Sequence, residues 1–190
     1  MGGHMLGSGQ VFGTRAGKDA ALFATENARE DLPADVVGQG LERVRSLETL
    51  RGKVRPGEIK GELRRRVWED LNVIRSEAAC NRVLETVARI RDETFPRLSI
   101  QEPFDRVEAL ELLNMLTVAE IVSKAVATRT ESRGGHYRED YPEQDDSRWL
   151  KSITVHKEDE GMALGTVALD PEWKDRSDLL KGVSFAGGRQ

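Results

Sequence analysis

The feature that most constrains the fold is a long apolar helical pattern that follows Pro103. Its main stripe recurs at three- or four-residue intervals, as expected for one helix face: Leu112, Leu116, Ala119, Val122 and Val126. Other apolar residues widen the stripe, and few charges interrupt it. Because a helix apolar around so much of its circumference needs cover from at least two neighbours, the sequence predicts a central helix of a bundle. Asp105 is predicted to cap its start.

The central helix is followed by a charged segment broken by glycines, RTESRGGHYREDYPEQDD, residues 129–146. A helix C-terminus exposes unpaired carbonyls and the negative end of the helix dipole, and both favour cations. Arg129 and Arg133 are predicted to serve that end, and Gly134-Gly135 to supply the left-handed conformation that ends a helix. These roles do not account for the remaining charged residues of the segment.

Three interpretations of those residues are open. His136 with Asp140, or with Asp145-Asp146, offers metal-ligand chemistry, but the neighbouring arginines would repel a divalent cation. His136 could act as a general acid or base, although no second catalytic group can be named beside it. The favoured interpretation is a web of arginine–carboxylate pairs that holds the segment against another domain or subunit. Its candidate docking residues are Arg129, Glu131, Arg133, His136, Arg138 and Asp140.

The rest of the chain predicts a mainly α fold, an antiparallel bundle of about three helices with an irregular or short-β C-terminal extension. One amphipathic pattern runs from Val37 to Leu50, and a second from Ile59 to Ala78 after Pro56-Gly57. Beyond Asp146, apolar residues alternate around 149–155 and again around 162–169, which indicates two short strands. Trp149 and Trp173 are expected to take some of their cover from a partner surface.

Composition excludes several classes of function. The formal net charge of −4 argues against a nucleic-acid footprint over the whole domain. No apolar run is long enough to span a membrane, and the N-terminus lacks the pattern of a secretory signal. The single cysteine, Cys80, permits no internal disulfide and suits a reducing compartment. We therefore expect a cytoplasmic protein, without a membrane span of its own and without a nucleic-acid partner.

The segment Arg129 to Leu150 resembles the C-terminal helical domain of the succinate dehydrogenase and fumarate reductase flavoprotein family, which includes L-aspartate oxidase. That family has the run R-x-E-S-R-G-x-H-x-R-x-D-[FY]-P after a helix of the type seen here from Glu111 to Ala119. The N-terminal GGHMLGSGQVFGTRAG is similar to the family's closing segment of the flavin domain. Within it His4 stands where the family has Asn.

The resemblance implies FAD as cofactor, held together with an upstream flavin-binding domain that this chain does not contain. At the start of the N-terminal helix, the backbone of Met5 and Leu6 would approach the flavin, because a helix N-terminus suits a flavin edge that becomes anionic on reduction. The family's catalytic residues lie upstream, so none is assigned in this chain, nor is any metal ligand. The expected partner is the flavin-binding domain of the same or a separate polypeptide. The second candidate partner is an iron–sulfur subunit.

The expected organisation has three parts. Residues 1–30 would form the last helix of the flavin-binding domain, residues 31–146 the helical bundle, and residues 147–190 the extension. The function implied is that of the C-terminal part of a FAD-dependent oxidoreductase, inactive alone. The alternative is a free-standing helical interaction module, derived from that family and without a redox role.

Overall fold

The computed structural model describes residues 2–27, 33–158 and 161–169. Its helices are α1 (Gly2–Glu26), α2 (Ala34–Leu47), α3 (Pro56–Leu71), α4 (Glu77–Arg89), α5 (Pro103–Thr128) and α6 (Asp146–Trp149). The strands are β1 (Ile74–Arg75), β2 (Tyr137–Arg138), β3 (Lys151–Glu158) and β4 (Gly161–Ala168). A π-helical turn, Ile90–Thr94, and a 3₁₀ turn, Phe95–Arg97, extend α4. The chain divides into two compact units, Met1–Arg43 and Val44–Gln190.

The first unit contains α1 and most of α2. The large apolar side chains of α1 that the structure describes are exposed: Leu6, Val11, Phe12, Leu22 and Phe23. Val36, Val37 and Leu41 of α2 are exposed as well. Because water-exposed apolar side chains add little stability, α1 depends on propensity and its own hydrogen bonds, whereas Leu47 at the end of α2 is buried in the core.

The second unit is built on a bundle of α3, α4 and α5. Ion pairs show the helix directions: Asp70 near the end of α3 pairs with Arg82 in α4, and Glu62 near its start pairs with Arg89. Lys60 in the first half of α3 meets Glu108 and Glu111 in the first half of α5. Consecutive helices are therefore antiparallel, as predicted. The centre of the core holds Leu63, Val83, Val87, Ile90, Leu112 and Leu116.

The boundary between α3 and α4 differs from the prediction. The sequence pattern continues one helix face through Ile74 to Ala78, but α3 ends at Leu71 and Ile74 lies in β1. Ser76 then starts α4, where its hydroxyl accepts a hydrogen bond from the Ala79 N–H at 3.4 Å. A serine N-cap satisfies orphan donors of a new helix, so it favours a restart over continuation.

The predicted start of α5 is also shifted. Glu102, not Asp105, is the N-cap, and Asp105 occupies the third helical position of a capping box. The Asp105 carboxylate accepts from the N–H groups of Gln101 and Glu102 at 3.0 and 2.9 Å and from Arg55 at 3.0 Å. The two backbone N–H groups, followed by Arg55, lower the pKa of Asp105 to about 2. Pro103 at the first helical position moves the cap one residue before itself.

At this end of the bundle the loops before α3 and before α5 are joined. The Gly52 N–H donates to the Leu98 carbonyl at 2.8 Å, and the Ser99 N–H donates to the Val54 carbonyl at 2.7 Å. A Cβ atom on Gly52 would lie 1.7 Å from the Arg97 carbonyl oxygen. This close approach of two backbones explains why glycine is needed at position 52.

The predicted C-terminal strands are present as an antiparallel hairpin. β3 and β4 pair from Lys151 opposite Ala168 to Glu158 opposite Gly161. The rest of the predicted extension, residues 170–190 with Trp173, lies outside the described residues. Within the described ranges, no helix has the length and apolar character that crossing a membrane requires.

Candidate functional site: the 129–146 loop

Arg138 caps the C-terminus of the central helix. Its side chain is fully buried, and Nη1 donates to the carbonyls of Val126 at 2.7 Å and Ala127 at 3.1 Å. The prediction gave this role to Arg129 and Arg133 and was wrong. The helix ends at Thr128 because Arg129 is extended (φ −80°, ψ 103°), which carries the chain away before it returns through β2. A residue ten positions later therefore reaches the orphan carbonyls.

The other side of the Arg138 guanidinium faces Asp140. Nε and Nη2 donate to the two carboxylate oxygens of Asp140 at 2.7 and 2.6 Å, a bidentate pair. Asp140 Oδ2 also accepts from the Glu77 N–H at 2.8 Å, at the N-terminus of α4. The Arg138 hydrogen bonds lower the pKa of Asp140 to about 2. The pair thus connects the end of α5 to the start of α4.

Arg75 connects the end of α3 to the loop. In the two-residue parallel pairing of β1 with β2, Arg75 lies opposite Arg138. Arg75 Nε donates to the Leu71 carbonyl at 3.0 Å, at the C-terminus of α3, and Nη1 donates to the Gly135 carbonyl at 3.2 Å. Sequence reasoning missed Arg75 because it assigned the neighbouring Ile74 to a helix face. The loop therefore ties together the ends of all three bundle helices.

Glu131 is the acceptor at the centre of the loop, and its side chain is fully buried. It accepts from Arg129 at 2.5 Å, from Arg133 Nε and Nη2 at 2.9 and 3.0 Å, and from the Asp145 N–H at 2.8 Å. Burial alone would raise the pKa of Glu131, but the bonds from Arg133, Asp145 and Arg129 lower it overall. Glu131 is thus held as a carboxylate, and its bonds close the loop on itself.

The same arginines connect the loop to the β3–β4 hairpin. Arg129 donates to the carbonyls of Trp149 at 2.9 Å and Lys151 at 2.6 Å, and its guanidinium lies 5.2 Å from the centre of the Trp149 ring. Trp149 Nε1 donates to Thr130 Oγ1 at 3.0 Å. Trp149 therefore takes part of its cover from its own chain, and the expected cover from a partner surface stays a prediction.

His136 is partly buried beside the loop's glycines. The N–H groups of Arg133 and His136 donate to each other's carbonyls at 2.7 and 2.9 Å, and Gly134 has a φ of +56° inside that turn. The two glycines therefore form a turn and do not end α5 as predicted. Burial lowers the pKa of His136, and the charges of Arg75, Arg129 and Arg138 lower it further.

Two other candidate sites are a metal site and the flavin contact of Met5 and Leu6. Across the ranges that the structure describes, no group of three or more His, Cys, Asp or Glu residues could hold a metal ion. Met5 and Leu6 lie inside α1, which begins at Gly2, so the free N–H groups of its first turn precede them. Their contact with a flavin remains a prediction. The 129–146 loop therefore contains buried ion pairs and helix caps. Among its residues, the partly exposed His136 is the best candidate for a group that gains or loses a proton in catalysis.

Comparison with known proteins matches this region to a family. Residues 60–176, which include α4, α5, the 129–146 loop and most of α3, match the model for the fumarate reductase flavoprotein C-term. The chain belongs to the succinate dehydrogenase and fumarate reductase flavoprotein family. Within that family it corresponds to the C-terminal domain. The six predicted docking residues all fall in the matched region, which also holds Arg75.

Individual relatives agree with the family assignment. The chain is 34% identical over 169 residues to one subunit of the fumarate reductase (CoM/CoB) of Methanothermobacter marburgensis, covering 87% of this chain and 30% of that protein. It is 32% identical to the succinate dehydrogenase flavoprotein subunit of Coxiella burnetii, covering 87% and 29%. A solved quinol fumarate reductase of E. coli aligns with a TM-score of 0.65 at 25% identity, covering 76% and 26%. The chain thus spans less than a third of the length of these proteins.

Proposed function

We propose that this chain is the C-terminal part of a FAD-dependent oxidoreductase of the succinate and fumarate class, and that it works only together with a flavin-binding portion. The observation that carries the proposal is the coverage: 87% of this chain matches the M. marburgensis subunit, but only 30% of that subunit is matched. The flavin chemistry belongs to the cofactor and to the portion that binds it. The work of this chain is to pack against that portion.

The exposure of α1 supports this role. A 25-residue helix whose large described apolar side chains are all exposed gains little from burial within its own compact unit. A flavin-binding portion would cover these side chains and would bring the flavin to the N-terminal turn of α1, near Met5 and Leu6. The cofactor would be FAD, bound by the assembled protein and not by this chain alone.

The 129–146 loop is the second proposed contact. Arg138 bonds to the end of α5 and Glu131 bonds within the loop, so both buried side chains are already paired and docking is left to the exposed residues of the loop. Tyr137 and Tyr141 are 41% and 38% exposed, and the Tyr141 ring centre lies 4.9 Å from the Arg138 guanidinium. Tyrosine is enriched at interfaces because it combines a large contact area with a hydrogen-bonding hydroxyl. An iron–sulfur subunit is a further proposed partner, on the cytoplasmic side of a membrane.

A chimera tests the proposal. This chain replaces the matched segment of the M. marburgensis subunit, and the purified protein is assayed for bound flavin and for fumarate reduction by a reduced dye. We expect the chimera to retain flavin that is lost when the segment is deleted. A chimera that folds but binds no more flavin than the deleted protein would contradict the proposal and favour a free-standing interaction module.

Arg133→Ala separates docking from internal stability. The substitution removes two bonds to Glu131 and one to Asp146, but Glu131 keeps Arg129 and the Asp145 N–H. We expect the flavin content of the chimera to fall by a larger factor than the folding equilibrium constant of the isolated chain. Equal factors in the two measurements would show that Arg133 serves only the internal structure of the loop.

A further inference from the structure

A second surface carries exposed apolar side chains, in the groove between α3 and α5. Its volume is about 650 Å³, and the side chains that line it include Val67, Trp68, Leu71, Met115, Val118 and Val122. Trp68 is 72% exposed and Val118 58% exposed, although the opposite faces of both helices are buried in the core. The exposure therefore belongs to well-packed helices and not to fraying ends.

The groove is almost free of charge. Arg64 is the single charged residue among the eleven that line it, whereas 33% of the whole chain is charged. The neighbouring face of α3 has the opposite character, with Glu62, Arg65, Arg66 and Glu69. A surface that excludes charge and presents tryptophan, methionine and valine has the composition of an interface core.

We propose that this groove receives an apolar helix face from the flavin-binding portion, an inference that rests on the proposed function. Two helices of a bundle leave a slot that a further helix fills by packing its ridges between theirs. About 70% of the M. marburgensis subunit lies outside the matched segment, so a long polypeptide is available in cis. Covalent linkage keeps such a face continuously covered, which suits a surface this apolar.

The test compares the accessibility of Trp68 in the isolated chain and in the flavin-binding chimera. Hydroxyl-radical footprinting measures its oxidation rate, with Trp149, which its own chain partly covers, as an internal reference. We expect the Trp68 rate to fall about fivefold in the chimera, as for a residue enclosed at an interface core. An unchanged rate in a chimera that does bind flavin would overturn the groove proposal and leave the proposed function intact.

Two variants make the result specific. Val118→Arg puts a charge in the groove, and Val167→Arg, on β4, makes the same change at a residue that is 56% exposed, close to the 58% of Val118. We expect neither to alter unfolding of the isolated chain, and only Val118→Arg to lower the flavin content of the chimera, by at least about twofold. Equal flavin content in the two variants would count against the groove.

Self-association is the remaining outcome. If Trp68 of the isolated chain becomes protected as the protein concentration rises, and sedimentation shows a dimer that Val118→Arg disrupts, a second copy occupies the groove. That result would overturn the proposed occupant. A chimera that binds no flavin at all would overturn the proposed function and this inference with it.

Discussion

Replacing Arg138 with methionine should strongly destabilise the bundle. The side chain is fully buried, so methionine retains most of its packing but leaves the Val126 and Ala127 carbonyls without their donor. Asp140 loses its bidentate partner. Each buried acceptor left without a donor costs about 1–3 kcal/mol, and Asp140, whose side chain is 30% exposed, regains part of its hydration, so we expect a total loss of about 3–5 kcal/mol.

That loss is a large fraction of the stability of a typical domain, about 5–15 kcal/mol. For a chain of this size each kcal/mol corresponds to roughly 2–4 °C in Tm, so we expect Tm to fall by about 6–20 °C. The measurement is urea and thermal unfolding followed by far-UV circular dichroism. Arg148→Met is the matched control, since the Arg148 side chain is 72% exposed and should be removed without measurable effect.

A double-mutant cycle with Asp140→Asn tests the mechanism. If the two groups act as one unit, the double variant loses less than the sum of the single losses, with a coupling energy of at least about 1 kcal/mol. Arg138→Lys should be intermediate, because an ammonium keeps the charge but lacks the planar fork that serves the carboxylate and the helix carbonyls together. A loss below about 1 kcal/mol for Arg138→Met would refute the capping argument.

Three further predictions concern glycines and titratable groups. Gly52→Ala should destabilise the chain strongly, because the added Cβ forces two backbones apart. Gly38→Ala, in an open position within α2, should stabilise it by about 0.5–1 kcal/mol. The midpoints of urea unfolding measure both effects. Because the folded-state pKa of His136 is below its usual 6.5, stability should fall as pH decreases below 6.5, and His136→Gln should flatten that dependence. The pKa of Asp140 is lowered from 3.8 to about 2, so its contribution is present above pH 3.8 and is lost as pH falls toward 2; in Asp140→Asn the acid-induced loss should be shallower over that window.

Periodicity predicted the bundle well and its boundaries less well. The stripe from Leu112 to Val126 identified α5 because a continuously packed helix repeats its apolar residues. The α3–α4 boundary was missed because Ile74 and Ala78 keep the same helical spacing on either side of the break. Ser76 carried the missing signal, since a serine followed by Glu77 is a helix start. Local spacing cannot distinguish one helix from two whose apolar faces continue in register.

The charged loop shows a different limit. The sequence identified the residues of the web but not their partners, because pairing depends on where the chain returns after Arg129. Composition favours arginines next to the helix end as its caps, yet Arg138 performs that role from β2. Likewise the exposed Trp68 was not singled out, since the spacing of α3 is compatible with a helix buried on either of two faces.

The position of the loop at the junction of three helices explains why its sequence is so distinctive. The C-termini of α3 and α5 present unpaired carbonyls, and the N-terminus of α4 presents unpaired N–H groups. The guanidinium groups of Arg75 and Arg138 donate to the carbonyls, and the Asp140 carboxylate accepts from an N–H group. The helix ends therefore explain why these three residue types are needed. A motif that satisfies a structural requirement of this kind identifies the domain and not its reaction. Under the proposed function, evidence for catalysis would come from the flavin-binding portion, and evidence for this chain's part in it from the surfaces that the motif leaves free.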